Sequence, residues 1–198
     1  MKDSAKELES LKDIPVRGRS FKEYCNLFGF DSVNGKDLRG KKILDVGIGH
    51  STFARYVNSH FENSEVIGLD IRKVKNLTPL EVADVTEPRE VNYPQAESVI
   101  ADARQLPFGD ESFDEVISSN LSMYLGEGIL RMIKEMARVC KKGGKIRITP
   151  TFFLDHAILE EFSREHILKI LKPSDFKVEE LTAAENGHKY KTTILTKL

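Results

Sequence analysis

The chain has 198 residues, and its 30 Lys and Arg against 31 Asp and Glu give a formal net charge of −1, a balance that favours neither a polyanion nor an anionic membrane surface as partner. One domain is the default at this length, and 40% hydrophobic residues are enough to bury a core without metals or staples. Cys25 and Cys140 stand far apart with no Cys/His cluster near either, which argues against a disulfide framework and a structural zinc site.

The first forty residues have a character of their own. The run Met1-Lys2-Asp3-Ser4-Ala5-Lys6-Glu7 is too charged for a secretory signal, and no apolar run approaches the roughly 18 residues of a membrane span. A cytoplasmic protein is the expectation. A charged segment with Leu8 and Leu11 breaks at Pro15 and Gly18, and Ser20 to Phe28 then sets Phe21, Tyr24, Cys25 and Phe28 on one helical face. Residues 1–40 therefore read as a helical arm or lid, and residues 41–198 as the main domain.

From Lys41 onward, short runs rich in Ile and Val alternate with stretches of helical period, the sequence form of βα units around a parallel sheet. Strands are predicted over 42–46, 65–70, 98–102, 113–118, 145–149, 176–181 and 191–197. Helices are predicted over 51–61, 128–140 and 155–171. Lys141-Lys142-Gly143-Gly144 reads as cations and a glycine stop at a helix C-terminus. The last two strands are separated by 182–190, a polar stretch holding Asn186-Gly187, which suits a hairpin. Residues 72–97, punctuated by Pro79, Pro88 and Pro94, carry no clear helix.

The most informative run is Ile43-Leu44-Asp45-Val46-Gly47-Ile48-Gly49-His50-Ser51, a buried strand that breaks into a glycine turn and opens a helix. In an open α/β sheet a ligand occupies the crevice beyond the carboxyl ends of the strands, and glycines let the backbone approach it. Val66-Ile67-Gly68-Leu69-Asp70 sets a carboxylate at the end of the next strand, the place for an acceptor of two ribose hydroxyls. A dinucleotide fits poorly: its fingerprint wants a third glycine where Thr52 stands. Asp45, just before the turn, would repel a pyrophosphate but suits a ligand bearing an ammonium and a sulfonium. S-adenosylmethionine is such a ligand.

The pattern resembles the class I S-adenosylmethionine-dependent methyltransferases from Lys41 to Leu198, with a third mark in Ala101-Asp102-Ala103-Arg104-Gln105-Leu106-Pro107-Phe108 followed by Ser112-Phe113-Asp114. The resemblance implies a Rossmann-like, doubly wound α/β fold. Its seven-stranded sheet would be mostly parallel, with the last strand antiparallel and the order 3-2-1-4-5-7-6. It implies that Asp45, Gly47 and Gly49 hold the methionine part of the cofactor, that Asp70 takes the ribose hydroxyls, and that Ile71 packs on adenine. Asp102 would accept from the adenine amino group, the Ala103 N–H would bind a ring nitrogen, and Ser119 and Asn120 would line the cofactor near its sulfonium. The product would be S-adenosylhomocysteine.

Acceptor contacts are less legible. Met123 and Tyr124 sit where a substrate would approach the methyl, and Tyr24 poses the same choice between packing and substrate contact. His156, with Asp155, could supply a base, although Asp155 as a helix N-cap with an exposed His156 is the plainer reading. His50 reads as a surface variant, and His60, His166 and His188 as structural or solvated. Methyl transfer is an in-line displacement from a strong leaving group, so alignment can supply most of the acceleration. The expectation is a small-molecule acceptor with N, O, S or C all open, since Ser118-Ser119-Asn120-Leu121 stands where amino-nitrogen methyltransferases carry their D/N-P-P-Y/F signature. A non-catalytic cofactor-binding protein is the competing class, and a nicotinamide-dependent oxidoreductase a third.

Overall fold

Each apolar run predicted from Lys41 on forms a strand, and all seven join one sheet. The computed structural model describes residues 19–49, 51–71, 98–119, 121, 125, 128–153, 167, 171–185 and 188–198. The strands are β1 (Lys42–Val46), β2 (Glu65–Asp70), β3 (Ser98–Ile100), β4 (Phe113–Ser119), β5 (Cys140–Phe153), β6 (Phe176–Glu185) and β7 (His188–Lys197). Their order is β3-β2-β1-β4-β5-β7-β6. Strands β1 to β5 pair with one another in parallel, and β7 runs antiparallel to both β5 and β6. The Rossmann-like, doubly wound sheet expected from the sequence, with its antiparallel last strand, is the fold observed.

Alternation along the central strands feeds two cores. Leu44, Val46, Val116 and Ile146 turn toward α3 (Ile129–Val139), where Met132, Ile133 and Met136 are fully buried. Ile43 and Ile117 turn the other way, toward α1 (Phe21–Phe28) and α2 (Phe53–His60). Phe21 stacks on Tyr56 with centroids 4.1 Å apart, and Tyr24 stacks on Phe53 at 5.0 Å. Helix α1 is thus a layer of the main core.

Both ends of α1 are fastened by side chains. At its start a capping box closes, with Ser20 Oγ accepting from the Glu23 N–H at 3.2 Å and the Glu23 carboxylate accepting from the Ser20 N–H at 2.7 Å. At its end Gly29 takes φ +71°, a left-handed stop that glycine adopts without strain. Arg147 Nη1 donates to Phe28 O at 2.6 Å, and Thr192 Oγ1 donates to Leu27 O at 2.7 Å. The Arg147 guanidinium also lies over the Phe30 ring at 4.4 Å and donates through Nε to Glu115 Oε2 at 2.7 Å. Lys41 Nζ reaches the other Glu115 oxygen at 2.6 Å, so the buried carboxylate of β4 is held from two sides.

Several predicted boundaries move, each for a local reason. Strand β3 stops at Ile100 instead of Asp102, because the Asp102 side chain accepts the Arg104 N–H at 2.8 Å and turns the chain. Strand β5 begins at Cys140, directly after α3, so Lys141 to Gly144 are strand and bulge and not a helix stop. The ladder shifts register between Phe113 and Glu115 there, and a Cβ on Gly144 would come within 2.7 Å of Asp114 O. Lys141 pairs with Asp114 at 2.7 Å. The cation at the end of α3 is instead Lys197 from β7, whose Nζ donates to Ala137 O at 3.1 Å and Cys140 O at 2.8 Å. Lys197→Met is expected to cost about 1 kcal/mol in urea unfolding, whereas Lys142→Met, at an exposed site, should stay within about 0.5 kcal/mol.

The hairpin is longer than its apolar pattern. Strands β6 and β7 stay paired out to Glu185 opposite His188, through the stretch predicted as connection. Outside the described residues lie the segment with Leu8 and Leu11, residues 72–97, and the Asn186-Gly187 turn. Of the stretch predicted as a helix over 155–171, Ile167 and Leu171 are described; both are buried, and the Leu171 N–H donates to Ile167 O at 3.1 Å. Among the described residues no helix is long and apolar enough to cross a membrane.

Candidate functional site

Strands β1 and β4 are neighbours from which the chain leads off in opposite directions, to β2 and β3 on one side and to β5 on the other. Such a switch point opens a crevice beyond the carboxyl ends of the strands. The glycine turn lies there. Gly47 has φ +80° and Gly49 has φ +52°, conformations that a side chain would strain. The Gly47 N–H donates to Leu69 O at 2.7 Å, and the Gly49 N–H donates to Asp70 Oδ2 at 3.1 Å. The turn is therefore tied to the end of β2, and the carboxylate expected there holds the loop. Gly68 has a role that the sequence reading passed over: a Cβ at that position would clash with the Ile48 side chain.

Asp45 is the unusual group. It is fully buried, and neither carboxylate oxygen has a hydrogen-bond partner. Burial pushes its carboxyl up to about 8; the nearby Asp70 charge adds to that rise, while the Tyr24 hydroxyl and Arg19 oppose it. The Tyr24 hydroxyl lies close enough to moderate the shift without closing a well-formed hydrogen bond to either oxygen. Tyr24 is itself buried, and burial together with the Asp45 charge raises its phenol well above the usual value. Ser118 Oγ and Thr149 Oγ1 are also buried without partners. Asp45 pairs with Ile117, and Ser119 with Thr149, so all these oxygens lie on the level where β1 and β4 end.

A residue that sequence reading missed completes this wall. Arg19, 8% exposed, precedes the Ser20 cap of α1, and its Nη1 donates to Ser119 Oγ at 3.0 Å. Its carbonyl accepts the Thr52 N–H at 2.9 Å, which fastens it to the start of α2. The signal that could have found it is Ser20-Phe21-Lys22-Glu23, a capping-box pattern that marks where α1 enters the core.

The remaining expected residues are placed as follows. Ile71 is half-buried beside Asp70 at the end of β2, and Ala103 is buried. Asp102 is held by Arg104, whose Nε lies 3.0 Å from each carboxylate oxygen and whose Nη2 lies 2.8 Å from Oδ2. Burial alone would raise that carboxyl, but the Arg104 hydrogen bonds and charge outweigh it and keep it below the usual range. Asn120, Met123, Tyr124, His156 and His50 lie outside the described residues. No cluster of His, Cys, Asp and Glu among the described residues could hold a metal ion.

Comparison with known proteins agrees with this geometry. Residues 44–148 match a family model described as a methyltransferase domain. The phosphatidylethanolamine N-methyltransferase of Cereibacter sphaeroides is 31% identical over 156 residues, which are 74% of this chain and 70% of that one. The phthiotriol/phenolphthiotriol dimycocerosates methyltransferase 1 of Mycobacterium ulcerans is 32% identical over 113 residues, 57% of this chain, and the match spans only 38% of that protein. A solved S-adenosylmethionine-dependent methyltransferase from Aquifex aeolicus superposes with a TM-score of 0.58 over 98% of each chain, at 17% identity. The strand order, the glycine turn at the switch point and the match across β1 to β5 lead to one conclusion: the chain belongs to the class I S-adenosylmethionine-dependent methyltransferase family.

Proposed function

We propose that the protein binds S-adenosylmethionine in the crevice beyond β1 and β4 and transfers its methyl group to a small-molecule acceptor. The observation that carries this reading is the buried Asp45 carboxylate, which has no hydrogen-bond partner beside a positive-φ glycine turn. A buried carboxylate left unsatisfied costs stability, and an ammonium group of a ligand would satisfy it. The residues therefore fit the methionine part of the cofactor, with Asp45, Gly47 and Gly49 around it. Asp70 is positioned for the ribose hydroxyls while it holds the Gly49 N–H. Ile71 and Ala103 would flank adenine, and Asp102 would offer its carboxylate to the amino group by sharing it with Arg104. Ser119 would stand near the sulfonium.

The bound cofactor supplies an electrophilic methyl on a leaving group that needs no protonation. What falls to this chain is to hold the crevice dry and to orient the acceptor, which is worth several orders of magnitude in rate when the approach is in line. A small acceptor is supported by the net charge of −1 and by the use of residues from Arg19 to Leu38 in core packing.

Calorimetric titration with S-adenosylhomocysteine tests the cofactor, and release of that product against a metabolite panel tests the transfer. Absence of binding to the folded protein would overturn the reading. Asp70→Ala should weaken binding by about 1–3 kcal/mol, roughly tenfold to a hundredfold, through lost charge-assisted hydrogen bonds; unchanged affinity would remove Asp70 from the site.

A further inference from the structure

Resting on the reading above, we infer that Arg104 is a positioning residue for the base: it fixes the Asp102 carboxylate so that one acceptor direction is left for the purine amino group, and Gly128 at the start of α3 is its seat. Asp102 accepts the Arg104 backbone N–H at 2.8 Å and Nη2 at 2.8 Å, and its two oxygens share Nε at 3.0 Å each. A flat guanidinium donates in a fixed fork. Here the fork and the backbone N–H come from the same residue, so the plane of the carboxylate is set. An ionised carboxylate offers about four acceptor directions, of which Arg104 fills about three. The Asp102 side chain is 33% exposed, which keeps the remaining direction open to a ligand.

Space for the arginine comes from α3. Gly128, the residue before Ile129, has φ −65° and ψ −18°, a conformation open to any residue, so the backbone does not call for glycine there. The close approach does: a Cβ on Gly128 would lie 2.8 Å from Arg104 Cδ. The Arg104 side chain, 18% exposed, is thus laid across the start of α3, and its guanidinium reaches Asp102 from a fixed direction. A carboxylate held in this way accepts from an amino group and repels the carbonyl oxygen of an oxo-purine. One free to turn would lose part of that discrimination to the cost of ordering itself. Arg104 therefore acts on the ligand through Asp102, with no contact to the base and no part in the displacement.

The test compares S-adenosylhomocysteine with S-inosylhomocysteine, which has an oxo group where adenine has its amino group, by calorimetry on the full chain. Wild type is expected to prefer the adenosyl ligand by about tenfold to a hundredfold. In Arg104→Met that preference should fall to within about threefold, with binding of the inosyl ligand changed by no more than about twofold, and the latter also reports that the variant is folded. Arg104→Lys keeps the charge and loses the fork, so its preference should be intermediate, and it serves if the Met variant does not fold. Gly128→Ala, at a position whose backbone accepts alanine, should lower the preference by about threefold or more, and in the Arg104→Met background it should change nothing further. A preference that survives intact in Arg104→Met or Arg104→Lys, or is absent in wild type, overturns the assignment, as does an equal loss for both ligands. One untouched by Gly128→Ala overturns the seat. Wild type that binds neither ligand overturns the proposed function and this inference with it.

Discussion

Asp45→Asn is expected to make the ligand-free protein more stable and to remove most of its affinity for cofactor. The folded chain holds the Asp45 proton up to about pH 8, whereas the ordinary carboxyl value is 3.8. Between those values the native state binds a proton that the unfolded chain has released, so stability falls as pH rises, by up to about 1.4 kcal/mol per pH unit. Below pH 4 the loss is absent, and above pH 8 it is complete. Asn has the same shape and no such titration. Its stability curve should be flat through that window, with a gain of up to about 6 kcal/mol at pH 8 and near equality at pH 4. Urea unfolding at several pH values measures this, and parallel curves for the two proteins would reject the account. Cofactor affinity should fall by about tenfold to a hundredfold, since an ammonium loses its counter-charge. An ammonium beside Asp45 favours the ionised carboxylate, so binding by wild type below pH 8 should release a proton, visible as a dependence of binding heat on buffer, and the Asn variant should not show it.

The second large effect concerns the buried ion pair. Arg147 and Glu115 have side chains 5% and 1% exposed, and they meet at 2.7 Å. Arg147→Met leaves Glu115 with Lys41 alone and also withdraws the donor from Phe28 O, so a loss of about 3–5 kcal/mol is expected, a large share of a typical domain stability of about 5–15 kcal/mol. Adding Glu115→Leu should restore part of it, because the expensive state is the half-broken pair and not the apolar replacement. A double variant no more stable than Arg147→Met, measured by urea unfolding, would show that the loss lies in the end of α1 and not in the ion pair.

What the sequence made legible follows from where its information is local. Strands β1 and β2 were placed to the residue because each is a buried run ended by a turn or a carboxylate within the same few positions. Strand β5 was misjudged at its start because Lys141 to Gly144 carry residues typical of a helix end, while the cation that serves α3 comes from Lys197, on a strand far along the chain. The ends of β6 and β7 carry no apolar alternation in the sequence, so the pairing from Thr182 to Glu185 is visible only in the register of the hairpin. At the site, Asp45, Gly47, Gly49 and Asp70 belong to two consecutive strand ends, and the structure brings all four together. Arg19 could not be seen in that way, since it meets Ser119 across 100 residues and no local period marks the encounter.

The fastening of α1 has a consequence for how the chain is made. The partner of Leu27 O is Thr192, 165 residues later, and the partner of Phe28 O is Arg147, 119 residues later. A nascent chain emerging from the ribosome can therefore seat the apolar face of α1 on α2 early, while the last carbonyls of α1 wait for Arg147 and Thr192 and β5 waits for β7 until the hairpin has been translated. Vectorial folding can complete the β1–α2–β2 unit with Phe21 and Tyr24 packed against it early, but the C-terminal end of α1 is fastened only near the end. During translation the segment from Leu27 to Phe30, at the end of α1, is the part of that layer that stays unfastened longest.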